Sequence, residues 1–199
     1  MPDEASPLSV SLITALEELT AALPMHQAEY ALIGGIAVGI RGRKRYTEDI
    51  DLLVSVPQLR LPGLLEDLQR RGFTLDEMAT IREWTQHHMV VIEYRGVRVD
   101  LLKPVLPAYR HVIDRATAEP WRGRELWLAT AEALILLKLT ASRNQDIADI
   151  EMLLAANRGR LDLDWVEAEW RTMFPTDDPR WQRFTQLRAE YYDRSTGPG

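Results

Sequence analysis

Two aspartates separated by one residue open an apolar stretch in the first third of the chain. Asp49 and Asp51 flank Ile50, and the run continues as Leu52-Leu53-Val54. On a β-strand, residues i and i+2 project to the same face, so the two carboxylates project together while Ile50 points into the core. Like charges held this close repel each other, and a cation between them relieves the repulsion. Carboxylate oxygens on a rigid strand suit Mg²⁺.

A third aspartate and a glycine pair fit the same chemistry. Asp100 lies inside a later β-rich run. If the two strands are neighbours, three carboxylates can hold two Mg²⁺ ions, which is the arrangement for in-line nucleotidyl transfer. Gly34 and Gly35 lie between a predicted strand and a predicted helix, where backbone N–H groups can approach phosphate oxygens. Arg45 and Lys138 are candidates for further positive charge towards a triphosphate.

Each of these features also has a purely structural interpretation. A lone D-x-D occurs by chance in many proteins, and a Gly-Gly that ends a strand is often only a tight turn. Lys138 could extend along an apolar helix face to solvent. The pair His87-His88 suggests a metal site, but adjacent residues on a strand face opposite sides. Asp146 and Asp149, at i, i+3 spacing, are typical of a solvated helix face.

The composition narrows the classes of function. The 199 residues carry 24 basic and 30 acidic side chains, a formal net charge of −6. A basic field over the whole molecule is excluded, although a local basic patch is not. There is no cysteine, so disulfides, thiolate metal sites and cysteine nucleophiles are excluded. The acidic N-terminus lacks a signal-peptide pattern and no apolar run can span a bilayer, so we expect a cytoplasmic protein without membrane contact.

Predicted elements of two kinds position the candidate residues. The first part predicts strands at 30–33, 49–54, 89–94, 97–102 and 125–128 and helices at 9–23, 36–40 and 62–71, with Pro24 ending the first helix. From Thr130 the pattern is helical, with helices at 130–139, 145–156, 164–173 and 180–193. We expect an α/β fold in which helices flank a small mixed sheet and a helical region follows, with domains at 1–128 and 129–199.

The order and spacing of these residues resemble a known signature. An apolar strand ends at Gly34-Gly35, 13 residues separate Gly35 from Asp49, and Arg45-x-Thr47-x-Asp49-Ile50-Asp51 leads into the next strand. This pattern resembles the DNA polymerase β-type nucleotidyltransferase superfamily. The Arg-x-Thr-x-Asp-Ile-Asp version is most similar to the abortive-infection nucleotidyltransferase toxins of bacterial type IV toxin–antitoxin systems and their uncharacterised relatives. Residues 134–150, with Lys138, are similar to the lysine-bearing helical motif of those proteins. The resemblance covers residues 28–156.

The resemblance implies a Mg²⁺-dependent enzyme that transfers a nucleoside monophosphate from an NTP to an acceptor hydroxyl and releases pyrophosphate. It implies that Asp49, Asp51 and Asp100 are catalytic and hold two metal ions, with Mn²⁺ as an alternative to Mg²⁺. It assigns nucleotide binding to Gly34, Gly35, Arg45, Thr47 and Lys138. On resemblance alone, RNA, and tRNA in particular, is the leading acceptor, and a cognate antitoxin protein is one candidate partner, whose existence the sequence leaves open.

The acceptor is the least determined part of this prediction. Arg41, Arg43 and Lys44 lie in the loop between the glycine pair and the D-x-D, where their charge could meet an RNA backbone. A protein side chain or a small molecule such as an aminoglycoside is an alternative acceptor. A non-catalytic nucleotide-binding or antitoxin-type module is an alternative class, and a D-x-D glycosyltransferase fits the short chain and the Gly-Gly less well. Residues 72–95 match no motif of the superfamily, so the acceptor side stays unassigned.

Overall fold

The chain divides into two compact units. The structure is a computed structural model that describes residues 10–43, 47–175 and 177–193. The first unit comprises Met1–Ile36 and Arg45–Ala129, and the second comprises Ala37–Lys44 and Thr130–Gly199. The short segment at 37–44 groups with the C-terminal helices. The expected domains at 1–128 and 129–199 stay a prediction.

A mixed sheet of six strands forms the centre of the first unit. Its strands are β1 (Glu29–Ile33), β2 (Asp49–Ser55), β3 (Met89–Tyr94), β4 (Val97–Leu102), β5 (Thr117–Trp121) and β6 (Arg124–Leu128). The order across the sheet is β3-β4-β2-β1-β6-β5. Strand β2 is parallel to β4 and β1 is parallel to β6, while the other neighbouring pairs are antiparallel. The expected α/β class with a small mixed sheet is therefore confirmed.

The helices of the first unit are α1 (Val10–Met25), the beginning of α2 (Gly34–Arg41), α3 (Leu61–Arg70), α4 (Glu77–Gln86) and α5 (Pro107–Asp114). Helix α1 buries Leu12, Leu16, Leu19 and Leu23, which recur at helical spacing. Strand β2 buries Ile50, Leu52, Leu53 and Val54. Ile50, Leu52 and Val54 face the core behind the strand, whereas Asp49 and Asp51 are half-buried on the other face, which they share with the buried Leu53.

Four helices make up most of the second unit: α6 (Ala131–Ala141), α7 (Asn144–Ala156), α8 (Leu163–Met173) and α9 (Pro179–Tyr191). Thr130 caps α6 as predicted, because its side chain accepts a hydrogen bond of 3.3 Å from the N–H of Ala133. Trp170 of α8 stacks on Trp181 of α9, with ring centroids 5.8 Å apart. Within the described ranges, no helix is long and apolar enough to cross a membrane.

Several elements differ from the sequence prediction. Helix α1 runs through Pro24 to Met25, so the expected end at Pro24 is wrong. Helix α4 escaped prediction because only Thr80 and Trp84 are buried on it, which leaves too few apolar positions to show a helical period. Helix α5 was not predicted either, and it begins with Pro107, which a helix tolerates in its first turn.

Strand β5 was also not predicted. Strand β5 carries Pro120 and lies at one edge of the sheet, where a strand tolerates a proline and needs few buried residues.

The pair His87-His88 does not lie on a strand. His87 caps the end of α4 and His88 has a φ of +60°, so they are not neighbours on a strand. The reason given for rejecting a metal site there was therefore wrong.

Candidate active site

The parallel pairing of β2 with β4 brings the predicted carboxylates onto one face of the sheet. In this register Asp51 lies directly opposite Asp100, and Asp49 lies directly opposite Arg98. Because side chains opposite each other on neighbouring strands share a face, Asp49, Asp51 and Asp100 form one group of neighbouring side chains. We call these three residues the carboxylate row. Neither the pairing of β2 with β4 nor its register could be read from the sequence.

Gly34 packs directly against one member of the carboxylate row. It follows the last residue of β1, has a φ of +65° and begins α2. A Cβ added to Gly34 would lie 1.8 Å from Oδ2 of Asp51 and 2.7 Å from its Cβ. Only glycine fits this place, for both conformational and steric reasons. The glycine turn and the D-x-D, 13 residues apart in sequence, are therefore parts of one site.

Arg98 neutralises part of the negative charge of the row. Its Nη2 donates a hydrogen bond of 3.1 Å to Oδ2 of Asp100. Its Nε lies 2.8 Å from Oδ1 of Asp100, but the N–H is not directed at that oxygen, and Oδ1 is buried without a hydrogen-bond donor from the described residues. The hydrogen bond to Asp100 and the charge of Asp100 raise the pKa of Arg98 against a lowering by burial, and the charges of Asp49 and Asp51 raise it further.

Thr47 orients the first aspartate of the row. It is buried, and its hydroxyl donates a hydrogen bond of 2.7 Å to Oδ1 of Asp49. The sequence assigned Thr47 to nucleotide binding, and that assignment stays a prediction. The hydrogen bond shows what Thr47 does in this structure: it holds the carboxylate of Asp49, which lies two residues further along the chain.

The residues present fit a divalent cation by their chemistry. Three carboxylates on one face supply the hard oxygen ligands that Mg²⁺ prefers, and Oδ1 of Asp100 accepts no hydrogen bond from the described residues. Among the described residues, no three acidic or histidine side chains are already arranged to hold a metal ion. The guanidinium of Arg98 lies beside Asp100 instead. Binding of a cation to all three carboxylates would therefore require these side chains to rearrange.

Lys138 belongs to a buried charge cluster in the second unit. Its Nζ donates a hydrogen bond of 3.0 Å to Oδ1 of Asp146 and forms an ion pair of 2.8 Å with Oδ2 of Asp149. Asp146 and Asp149 are 0% and 1% exposed, so the expectation of a solvated helix face is wrong. The cluster joins α6 to α7. A contact between Lys138 and phosphate stays a prediction.

Arg143 completes this cluster and controls the titration of Asp146. Its Nε lies 2.7 Å from Oδ2 of Asp146, and its backbone N–H donates to the same oxygen at 3.0 Å. Burial alone raises the pKa of Asp146, but hydrogen bonds from Arg143 and Lys138 outweigh it and hold the pKa below its ordinary value.

We expect Asp146→Asn to lower the free energy of unfolding at pH 7 by about 2 kcal/mol, because Lys138 loses a buried partner. A depressed pKa adds stability above the unfolded value near 3.9, and this stability is lost as the pH falls through the folded value. The variant should therefore lose less stability than the wild type between pH 5 and pH 2. Urea unfolding at several pH values measures both effects, with Asp164→Asn at an exposed position of α8 as the control. Equal acid dependence of Asp146→Asn and wild type would contradict this prediction.

The structure describes the predicted basic loop only in part. Arg41 ends α2 and Arg43 is exposed, and both lie in the second unit. The backbone N–H of Arg43 donates to Sδ of Met152 at 3.2 Å, and Nδ2 of Asn157 donates to the carbonyl of Arg41 at 2.9 Å. The predictions for Lys44 and Arg45 fall outside the described residues. The predicted roles of Arg41 and Arg43 in RNA binding stay untested.

The fold is that of a nucleotidyltransferase. It is similar to the solution structure of the antibiotic-resistance factor ANT(2'')-Ia, at 16% identity over 92% of this chain and 97% of that chain, with a TM-score of 0.52. It is also similar to a crystal structure of ANT(2'')-Ia with adenylyl-2''-tobramycin, at 17% identity over 90% of this chain and 98% of that chain, with a TM-score of 0.51.

A third similar structure is the lincomycin-bound lincosamide antibiotic adenylyltransferase LnuA. It matches at 14% identity over 73% of this chain and 96% of that chain, with a TM-score of 0.51. No family model matches the sequence, and no protein with a curated description matches it. At these identities, the similarity establishes the fold.

Sequence reasoning missed Arg98 as a member of the site. The i, i+2 spacing of Arg98 and Asp100 carried the signal, because residues at this spacing on a strand share a face. The same rule had been applied to Asp49 and Asp51.

Proposed function

We propose that this protein is a nucleotidyltransferase that moves a nucleoside monophosphate from an NTP to an acceptor hydroxyl and releases pyrophosphate. One observation carries the proposal: the register that sets Asp51 opposite Asp100, with Gly34 packed against Asp51. Three neighbouring carboxylates repel one another and therefore do not stabilise a strand face. Divalent cations that bind a triphosphate would neutralise them, which explains the arrangement.

Each part of the row has a role in this proposal. Asp49, Asp51 and Asp100 would hold Mg²⁺ or Mn²⁺, which when bound polarises the acceptor oxygen and stabilises the leaving pyrophosphate. Thr47 would keep Oδ1 of Asp49 in place through its hydrogen bond. The glycine turn at the start of α2 would present backbone N–H groups to phosphate oxygens.

A small-molecule hydroxyl is the acceptor we place first. The fold similarity to ANT(2'')-Ia extends over nearly all of both chains, and one of those structures holds adenylylated tobramycin. The formal net charge of −6 and the carboxylate row favour a cationic acceptor such as an aminoglycoside over a polyanion.

RNA is the second candidate acceptor, and the basic loop at Arg41, Arg43 and Lys44 favours it. Each phosphate contact adds about one unit to the salt dependence of binding. If RNA binds here, replacing all three residues with Ser should flatten the salt slope by about two to three units while NTP affinity stays constant. A toxin-like role on tRNA, with a cognate antitoxin, rests on the sequence resemblance alone.

A transfer assay with labelled nucleotides tests the proposal. The protein is incubated with each of the four α-labelled NTPs and Mg²⁺, together with an aminoglycoside panel, total RNA, or no added acceptor. Label on an aminoglycoside supports the first acceptor, label on RNA the second, and label on the protein itself a protein acceptor. An Asp49→Asn/Asp51→Asn variant is the control for contaminating activity. Nucleotide binding without transfer to any acceptor would favour a non-catalytic module instead.

We expect Thr47→Val to lower the rate of transfer about fivefold. The substitution keeps the shape of the side chain but removes the hydroxyl that holds Asp49, a loss of about 1 kcal/mol. Thr47→Ser keeps the donor and should retain most of the activity. The rate of pyrophosphate release measures the effect, and thermal unfolding shows whether the fold is intact. A Thr47→Val variant with the wild-type rate would separate Thr47 from the reaction.

A further inference from the structure

The guanidinium of Arg98 is a cation held against a carboxylate that the proposed reaction needs for a metal ion. It contacts both oxygens of Asp100, and the register places it directly opposite Asp49. Among the described residues of β2 and β4, one face therefore carries three carboxylates and the guanidinium of Arg98. The sequence reasoning assigned this arginine no role.

We infer that Arg98 is a counter-cation of the carboxylate row in the metal-free protein, held on Asp100, and that a divalent cation displaces its guanidinium from Asp100. The inference rests on the proposed function, because it assumes that the row binds divalent cations. Arg98 is then a positioning residue, which holds Asp100 in the resting state and competes with the metal ion for it.

The contact between Arg98 and Asp100 has features that would let a metal ion displace the guanidinium. The side chain of Arg98 is 56% exposed, whereas that of Asp100 is 16% exposed, so the guanidinium can move into water while Asp100 stays in place. An ion pair with one partner this exposed contributes little stability. The pair also falls short of a two-bonded arginine–carboxylate contact, because only Nη2 donates a hydrogen bond.

The unsatisfied oxygen gives the displacement a driving force. Oδ1 of Asp100 is buried and receives no hydrogen bond from the described residues. Nε of Arg98 lies 2.8 Å away without donating a hydrogen bond to it, which leaves part of the cost of burying this acceptor uncompensated, and a bound cation would compensate it. A divalent ion also brings more charge to the three carboxylates than the single charge of a guanidinium. Arg98 therefore neutralises part of the negative charge of the carboxylate row but leaves Oδ1 of Asp100 without a hydrogen bond from the described residues.

Metal binding in the absence of nucleotide tests this inference. The affinity of the full-length protein for Mn²⁺ alone is measured by electron paramagnetic resonance, which detects the free ion. Arg98→Gln removes the competing cation, so we expect it to bind Mn²⁺ about tenfold more tightly than the wild type, which corresponds to about 1.4 kcal/mol. Arg98→Lys keeps the charge but lacks the planar fork, so it should fall between the two.

Two controls separate displacement from a general effect of charge. Arg110→Gln removes the same charge from an arginine that pairs with Glu29 and Asp114, and it should leave Mn²⁺ affinity unchanged. In an Asp100→Asn background, Arg98→Gln should have a smaller effect, because the pair it breaks no longer exists. Circular dichroism and thermal unfolding check the fold of each variant.

The outcomes distinguish this inference from the proposed function. If the wild type binds Mn²⁺ and transfers nucleotide but Arg98→Gln binds Mn²⁺ no more tightly, Arg98 is a permanent partner of Asp100 and only this inference fails. If the wild type neither binds Mn²⁺ nor transfers nucleotide, both fail. Should Arg98→Gln not fold, tighter binding by Arg98→Lys supports displacement, and unchanged or weaker binding contradicts it.

Discussion

Replacing Asp51 with Asn should lower the rate of nucleotidyl transfer on the order of 10³-fold and leave the fold intact. Asp51 is the central member of the carboxylate row, since it pairs with Ile33 of β1 on one side and with Asp100 of β4 on the other. Asn has almost the same shape but no charge, so the strand should form while its affinity for a metal ion falls. The rate of pyrophosphate release under saturating NTP measures the loss.

A matched control shows that the effect is local. Asp114→Asn removes a carboxylate of the same unit that pairs with Arg110, outside the carboxylate row. This variant should keep wild-type activity. The Mn²⁺ affinity of Asp51→Asn should fall together with its rate. An Asp51→Asn variant that retains more than a tenth of the wild-type rate would remove Asp51 from the proposed site.

The strand that carries the D-x-D could be predicted because its apolar residues follow one another in a short run that favours a buried strand. Ile50, Leu52, Leu53 and Val54 are buried, and a buried strand next to a sharp glycine turn leaves few alternative structures. The helices of the second unit were also predicted to within a few residues, since their apolar residues recur at helical spacing and Thr130 marks the first cap.

The contacts between elements could not be predicted, because they depend on pairing across long sequence separations. Nothing local to Asp51 or Asp100 states that their strands are parallel and in this register. The interpretation of Asp146 and Asp149 failed for the same reason. Two acids at i, i+3 spacing are solvated unless another helix supplies a buried cation, and here α6 supplies Lys138. A buried charge is acceptable only when it is paired, and the partner lies in another element.

The close approach of Gly34 to Asp51 gives the sharpest test of the site as a single unit. A methyl group at Gly34 would lie 1.8 Å from Oδ2 of Asp51, far inside any van der Waals contact, so Asp51 or the turn has to move. Displacing a catalytic group by about 1 Å is enough to lower a rate on the order of 10²-fold. We therefore expect Gly34→Ala to lower nucleotidyl transfer by at least that factor, in an assay of pyrophosphate release.

The chain provides a control that separates the clash from backbone strain. Gly34 has a φ of +65°, so an alanine there is strained as well as crowded. Gly123 has a φ of +80°, and a Cβ added to it would meet nothing within 4 Å. Gly123→Ala should therefore lower the free energy of unfolding by about 1 kcal/mol without changing the rate of transfer. Gly34→Ala should lose more stability, and Asp51→Ala in the same chain should restore part of it, because Oδ2 and Cγ of Asp51 are gone and only its Cβ, at 2.7 Å, still crowds the added methyl group. A Gly34→Ala variant with wild-type activity would show that Asp51 is not held by the glycine turn during the reaction.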